Sequence, residues 1–149
     1  MARFRYRMQN ILSVKEKLET QAKNDYARAL MTVSEQEDEL QRRKDHLTDL
    51  EREAREARLK DSLSIRDLED TNLAVDLQKQ AIEAQKQVLE KARDEAEIRR
   101  EAMVELMQER KTHEILKQRQ FEEFLKEQSA AESKEIDQLT SYTYGQKLK

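Results

Sequence analysis

Across 149 residues the chain holds one glycine, Gly145, and no proline. Turns draw on Gly and Pro to reach backbone angles that other residues avoid, so the sequence has almost nothing with which to reverse direction repeatedly. Disordered segments are usually rich in the same two residues. What remains favours long helices, and the abundant Ala, Leu, Glu, Lys, Arg and Gln are strong helix formers. With 36% hydrophobic and 41% charged residues, such helices can bury a narrow seam but not a globular core. The expected shape is a rod.

Other classes are excluded by the same composition. A net charge of -3, from 29 basic and 32 acidic residues, argues against a generally basic nucleic-acid binder. With no cysteine there is no disulfide framework and no thiolate metal site. No apolar run approaches the ~20 residues that cross a bilayer. QNILSVKEK is interrupted too early for a secretory signal core, and the protein reads as cytoplasmic.

Apolar positions fall at helical spacing on both sides of one break. Ile11, Leu18, Ala22, Tyr26, Ala29, Val33, Leu40, Leu47, Leu50 and Ala54 form a first stripe, with Val33, Leu40, Leu47 and Ala54 in steps of seven. Ile11, Ala22 and Val33 step by eleven, a period that relaxes a left-handed supercoil. Ala74, Leu77, Ala81, Ala84 and Val88 form a second stripe, which resumes past Leu116 with Phe121, Phe124 and Leu125. In residues 58–72 the spacing fails, and Ser64 followed by Asp67 resembles a capping box with Asp for Glu.

The predicted fold class is all-α, a long antiparallel two-helix coiled-coil hairpin. Its first arm covers about 4–59, its bend about 60–72, its second arm about 73–139, and a fraying tail 140–149. Phe4 and Met8 should then lie beside Phe124 and Leu125.

Nothing in the pattern points to catalysis. A phosphate-cradling loop needs several glycines, and no cofactor or metal is expected. His46 and His113 share no ligand spacing and read as helix-surface or seam-edge residues. The acidic run EQEDEL reads as a solvated face, because Asp38 with Arg42, Glu39 with Arg43, Glu51 with Arg55 and Glu56 with Lys60 are i,i+4 pairs.

The start of the chain differs. Residues 1–17 carry five basic groups and one acid, whereas residues 35–70 carry eight and thirteen. Three readings are open for MARFRYRMQNIL: a sealed end with solvated arginines, a nucleic-acid arm, or a tip that seals itself and also docks on an acidic protein surface.

FRYRMQNILSVKEKLE, together with ERKTHEILKQRQFEEFLKEQSAAESKEIDQL at residues 109–139, resembles the flagellar export protein FliJ family. The resemblance implies a non-catalytic part of a type III export apparatus, serving flagellum biogenesis, motility and chemotaxis. Members of that family form an antiparallel coiled coil similar to the central stalk of rotary ATP synthases. They insert into the hexameric export ATPase FliI, contact the cytoplasmic domain of the export gate protein FlhA, and handle empty export chaperones. MARFRYRMQNIL would be the first helix at the docking tip, with Phe4, Tyr6 and Met8 as anchors and Arg3, Arg5 and Arg7 as charged contacts. Phe121 and Phe124 would join that ring contact. By position alone, groups expected to be exposed toward the bend, Arg43, His46 and Gln78, are the gate-contact candidates. The stalk of a virulence-type injectisome, a holdase chaperone and a scaffold coiled coil are the alternatives.

Overall fold

The computed structural model describes residues 2–60 and 64–147. It is all-α: helix α1 covers Gln9–Arg58 and helix α2 covers Ile65–Lys147. The two pack antiparallel, as a helical hairpin requires. Arg55 and Arg58 occupy the last turn of α1, where cations meet the negative end of the helix dipole. α2 opens on a cap: the Asp67 amide donates to Ser64 Oγ at 3.0 Å, the serine half of the capping box that the sequence suggested. Of the reversal itself, residues 61–63 lie outside the described residues.

Element bounds differ from the expectation at three places. α1 starts at Gln9 rather than near Phe4, because the preceding residues alternate between exposed and packed positions, which a helix cannot do. α2 starts at Ile65 rather than near 73, launched directly by the Ser64 cap. Thr140–Lys147, expected to fray, is helical, and each of those residues is exposed.

Contacts divide the chain into two units. One comprises Met1–Thr20 with Val104–Lys149, the other Gln21–Met103. In the second unit, α1 packs through Ala22, Tyr26, Ala29, Val33, Leu40, Leu47, Leu50 and Ala54, all buried or half-buried. That much of the first stripe is the seam. The α2 side is carried by Val75, Ile82, Leu89 and Ala96, in steps of seven. Ile82, Leu89 and Ala96 are buried, whereas Leu77, Val88 and Ala84 of the expected stripe are exposed. Here the seam lies one residue from where apolarity alone puts it. The reason is polar: Gln85 is 3% exposed, and its Nε2 donates to Gln36 Oε1 at 2.7 Å and to the Gln36 carbonyl at 3.1 Å.

Within the first unit, Leu12 is the largest fully buried side chain, at 2% exposure. Ile11 and Leu18, which the sequence assigned to the seam, are 45% and 40% exposed. Their places are taken by Leu12 and Glu19, seven apart. The eleven-residue step from Ile11 is therefore not used for packing. Glu19 is almost wholly buried and bonds to Arg110, which also donates to Glu114 Oε2 at 2.9 Å. Lys15 Nζ meets Glu109 Oε2 at 2.7 Å. A buried carboxylate is tolerable only with such a partner, so charge pairing helps set how α1 and α2 align here.

Candidate functional site

Residues 3–7 read Arg-Phe-Arg-Tyr-Arg, and their exposure alternates: Arg3 out, Phe4 half-buried, Arg5 out, Tyr6 buried, Arg7 out. Period-two alternation belongs to extended backbone, and residues 3–6 form a strap lying on α2, with Arg7 and Met8 in the turn that leads into the first helix. Phe4 sits against two rings of α2. Its centroid is 5.2 Å from Phe121 at an interplanar angle of 66° and 5.5 Å from Phe124 at 49°, edge-on and tilted arrangements that aromatic quadrupoles favour. The expected neighbourhood of Phe4 and Phe124 is thus present.

Tyr6 is 5% exposed. Its hydroxyl lies 3.1 Å from His113 Nδ1 and 3.8 Å from Met8 Sδ. A buried phenol needs a polar partner, and His113 supplies it, so this histidine holds the strap. The Gln9 amide donates to the Tyr6 carbonyl at 3.1 Å, closing the turn into α1, and Lys117 Nζ donates to Gln9 Oε1 at 2.8 Å.

Arg3, Arg5 and Arg7 point the other way. All three are exposed and none has an ion-pair partner among the described residues. Along the helices, Arg28, Arg42, Arg43, Arg52, Arg93, Arg99, Arg100 and Arg110 are paired with carboxylates, while Arg55, Arg58, Arg66 and Arg119, like Arg3, Arg5 and Arg7, have no ion-pair partner among the described residues. Beside the strap, Arg3, Phe4, Arg5, Tyr6, Gln9 and Lys117 line an open groove of about 440 Å³. Among the described residues, three cations and no carboxylate line it.

The eight tip residues therefore split by role. Phe4, Tyr6, Phe121 and Phe124 are engaged with one another or with His113, Met8 is 36% exposed, and the arginines are free to meet a partner. The placement of residues 3–8 in a first helix is corrected: they precede it. What sequence reading missed is His113 and Lys117 as supports of the strap. A histidine at a seam-edge position opposite a tyrosine is visible only once the register is known.

The gate-contact candidates fare differently. Arg43 Nη1 donates to the Ala81 carbonyl at 2.8 Å, and Gln78 Nε2 donates to the Arg43 carbonyl at 2.9 Å. Both residues are half-buried between the helices rather than exposed as expected, while His46 is exposed. Exposed instead on α2 are Leu73 at 58%, Leu77 at 55% and Val88 at 44%, with Ala84 between them. They form an apolar face that no described residue covers.

The EQEDEL run is a salt-bridged face, with the expected Glu39–Arg43 pair present and Arg42 paired with Glu39 rather than with Asp38. Glu39 accepts from Arg42 Nη2 at 2.8 Å and from Arg43 Nε at 3.1 Å. The Arg42 hydrogen bond, then that of Arg43, holds its carboxyl below the ordinary 4.5. Glu97 is lowered likewise by Arg100, and Arg110 is raised by Glu19 and then Glu114. Among the described residues no group of three or more His, Cys, Asp or Glu side chains is placed to hold a metal, and no helix is long and apolar enough to cross a membrane.

Compared with known proteins, residues 4–149 match a family model described as Flagellar FliJ protein. Searches of curated proteins and of solved structures found no match.

Proposed function

The chain belongs to the flagellar FliJ family, and from that premise we propose that it is the stalk-like rod that docks in the hexameric export ATPase FliI and promotes its hydrolysis. Membership makes it a component of the flagellar export apparatus. The finer reading rests chiefly on the chain-end tip: Phe4, Tyr6, Phe121 and Phe124 lock the strap, leaving Arg3, Arg5 and Arg7 without an ion-pair partner among the described residues and open to an acidic ring surface. A sixfold ring offers equivalent inner surfaces, which one asymmetric rod can touch only unequally. Unequal contact biases which nucleotide site closes.

The same rod links the ATPase to the export gate, FlhA, and escorts export chaperones. With Arg43 and Gln78 spent between the helices, the gate contact falls to the exposed α2 face of Leu73, Leu77, Ala84 and Val88, with His46 as a polar neighbour on α1. A row of exposed apolar side chains on one helix is the kind of surface that protein partners cover. Such a protein works in the cytoplasm, peripheral to the inner membrane through its partners. The test is ATPase turnover of FliI titrated with the full chain. Stimulation saturating near one rod per hexamer is expected; suppression of aggregation without any change in hydrolysis would identify a holdase instead, and neither effect a scaffold.

A further inference from the structure

The strap carries a feature that ring docking by charge alone does not use. Its inner face, Phe4 and Tyr6, is packed on α2, and its outer face is Arg3 and Arg5, with Arg7 following in the turn into α1. Between the two faces runs the backbone, and among the described residues that of residues 2–5 makes no hydrogen bond. Every non-proline residue there has a donor and an acceptor to offer, and this chain has no proline. An extended segment with unpaired backbone, pinned on one face, is a template for strand addition.

We infer that the strap binds an extended acidic segment of its partner as an added strand, with carboxylates at alternate positions meeting Arg3 and Arg5. Alternation decides the chemistry. Side chains on one face of a strand recur every second residue, so Arg3 and Arg5 present a spacing of charge that an acidic strand of the same period matches one for one, with Arg7 adding positive charge from the turn that follows. Lys117, whose partner Gln9 is neutral, adds positive charge from the α2 wall of the groove. Phe4 and Tyr6, clamped by Phe121, Phe124 and His113, keep the template flat while it is occupied. A helical acidic segment would bring its charges at three- and four-residue intervals and would leave the strap backbone unpaired.

The inference rests on reading the tip as a docking surface and specifies what docks there. Its test needs no ATPase, so it stands or falls separately from stalk function. A short fluorescent peptide alternating Glu with Thr is titrated against the full-length chain at low salt. Two control peptides accompany it: one of the same composition with its glutamates at helical spacing, and one N-methylated on the amides that would pair. The alternating peptide should bind, protect the amides of residues 3–5 from exchange, and weaken at least about tenfold in the double variant Arg3→Gln, Arg5→Gln. The helically spaced and N-methylated peptides should bind far more weakly. Equal binding by either control, or no binding by the alternating peptide, would overturn strand addition.

Discussion

The Gln85 side-chain amide donates to both the side-chain and main-chain oxygens of Gln36, at 2.7 and 3.1 Å. Two amides thus occupy a seam that elsewhere packs Leu40, Leu47, Ile82 and Leu89. Opposed polar residues in a coiled-coil seam fix register at some cost in stability, because only one alignment satisfies both.

That relationship predicts a change of sign between single and double variants. Gln36→Leu alone removes one acceptor from a Gln85 that is 3% exposed, and should lower stability by about 1 kcal/mol. Gln36→Leu with Gln85→Leu replaces both partners by apolar groups and should raise the melting temperature. Two variants that both destabilise would mean that the amides do not face each other in the seam.

Packing of α1 near its start predicts a contrast between neighbours. Leu12→Ala removes the largest fully buried side chain and should cost roughly 2–5 kcal/mol. Ile11→Ala, at a position 45% exposed, should stay within about 0.5 kcal/mol. Denaturant midpoints of the two variants check the frame directly. A larger loss at Ile11 would restore the eleven-residue step.

The first seam was legible where apolarity and burial coincide, as at Val33, Leu40, Leu47 and Ala54. It was misplaced on α2 because that helix carries two neighbouring candidate stripes. Leu77, Ala84 and Val88 are the more uniformly apolar, yet Ile82, Gln85 and Leu89 are the buried ones. Only the complement on α1 separates them, since Gln36 and Arg43 also fall in the heptad frame and need Gln85, Gln78 and the Ala81 carbonyl opposite. At the tip, Arg-Phe-Arg-Tyr-Arg held a period-two signal, but a composition so rich in helix formers masks a strap this short. Tyr6 and His113 meet across 107 positions of sequence, a contact that follows from register and from no local pattern.

Acid should weaken the paired faces in a defined window. Glu39 is held below its ordinary 4.5 by Arg42 and then Arg43, so its folded-state pKa is depressed. A depressed carboxyl contributes stability above the unfolded value that is lost as pH falls through the folded one. The contribution is therefore present at neutral pH and disappears below 4.5. Glu39→Gln should lower the neutral-pH melting temperature slightly and leave the acid value almost unchanged. Both faces are solvent-screened, so the effect should also shrink at high salt. An equal loss at both pH values would assign Glu39 a role in packing rather than in charge pairing.

The two proposed docking surfaces should be separable by variants that leave the fold alone. Arg3→Glu, Arg5→Glu and Arg7→Glu together alter exposed groups without ion-pair partners among the described residues, so helix content by circular dichroism should hold. Stimulation of the export ATPase should nevertheless fall sharply at moderate salt, because reversed charges meet an acidic surface with like-sign repulsion. Leu77→Asp with Val88→Asp alters the exposed α2 face, at 55% and 44% exposure, and should abolish capture of the gate's cytoplasmic domain while leaving ATPase stimulation intact. Each variant removes one partner and spares the other if the surfaces are distinct. Loss of both activities in either variant, with the helices intact, would show that the ATPase and the gate are not served by the strap and the α2 face separately.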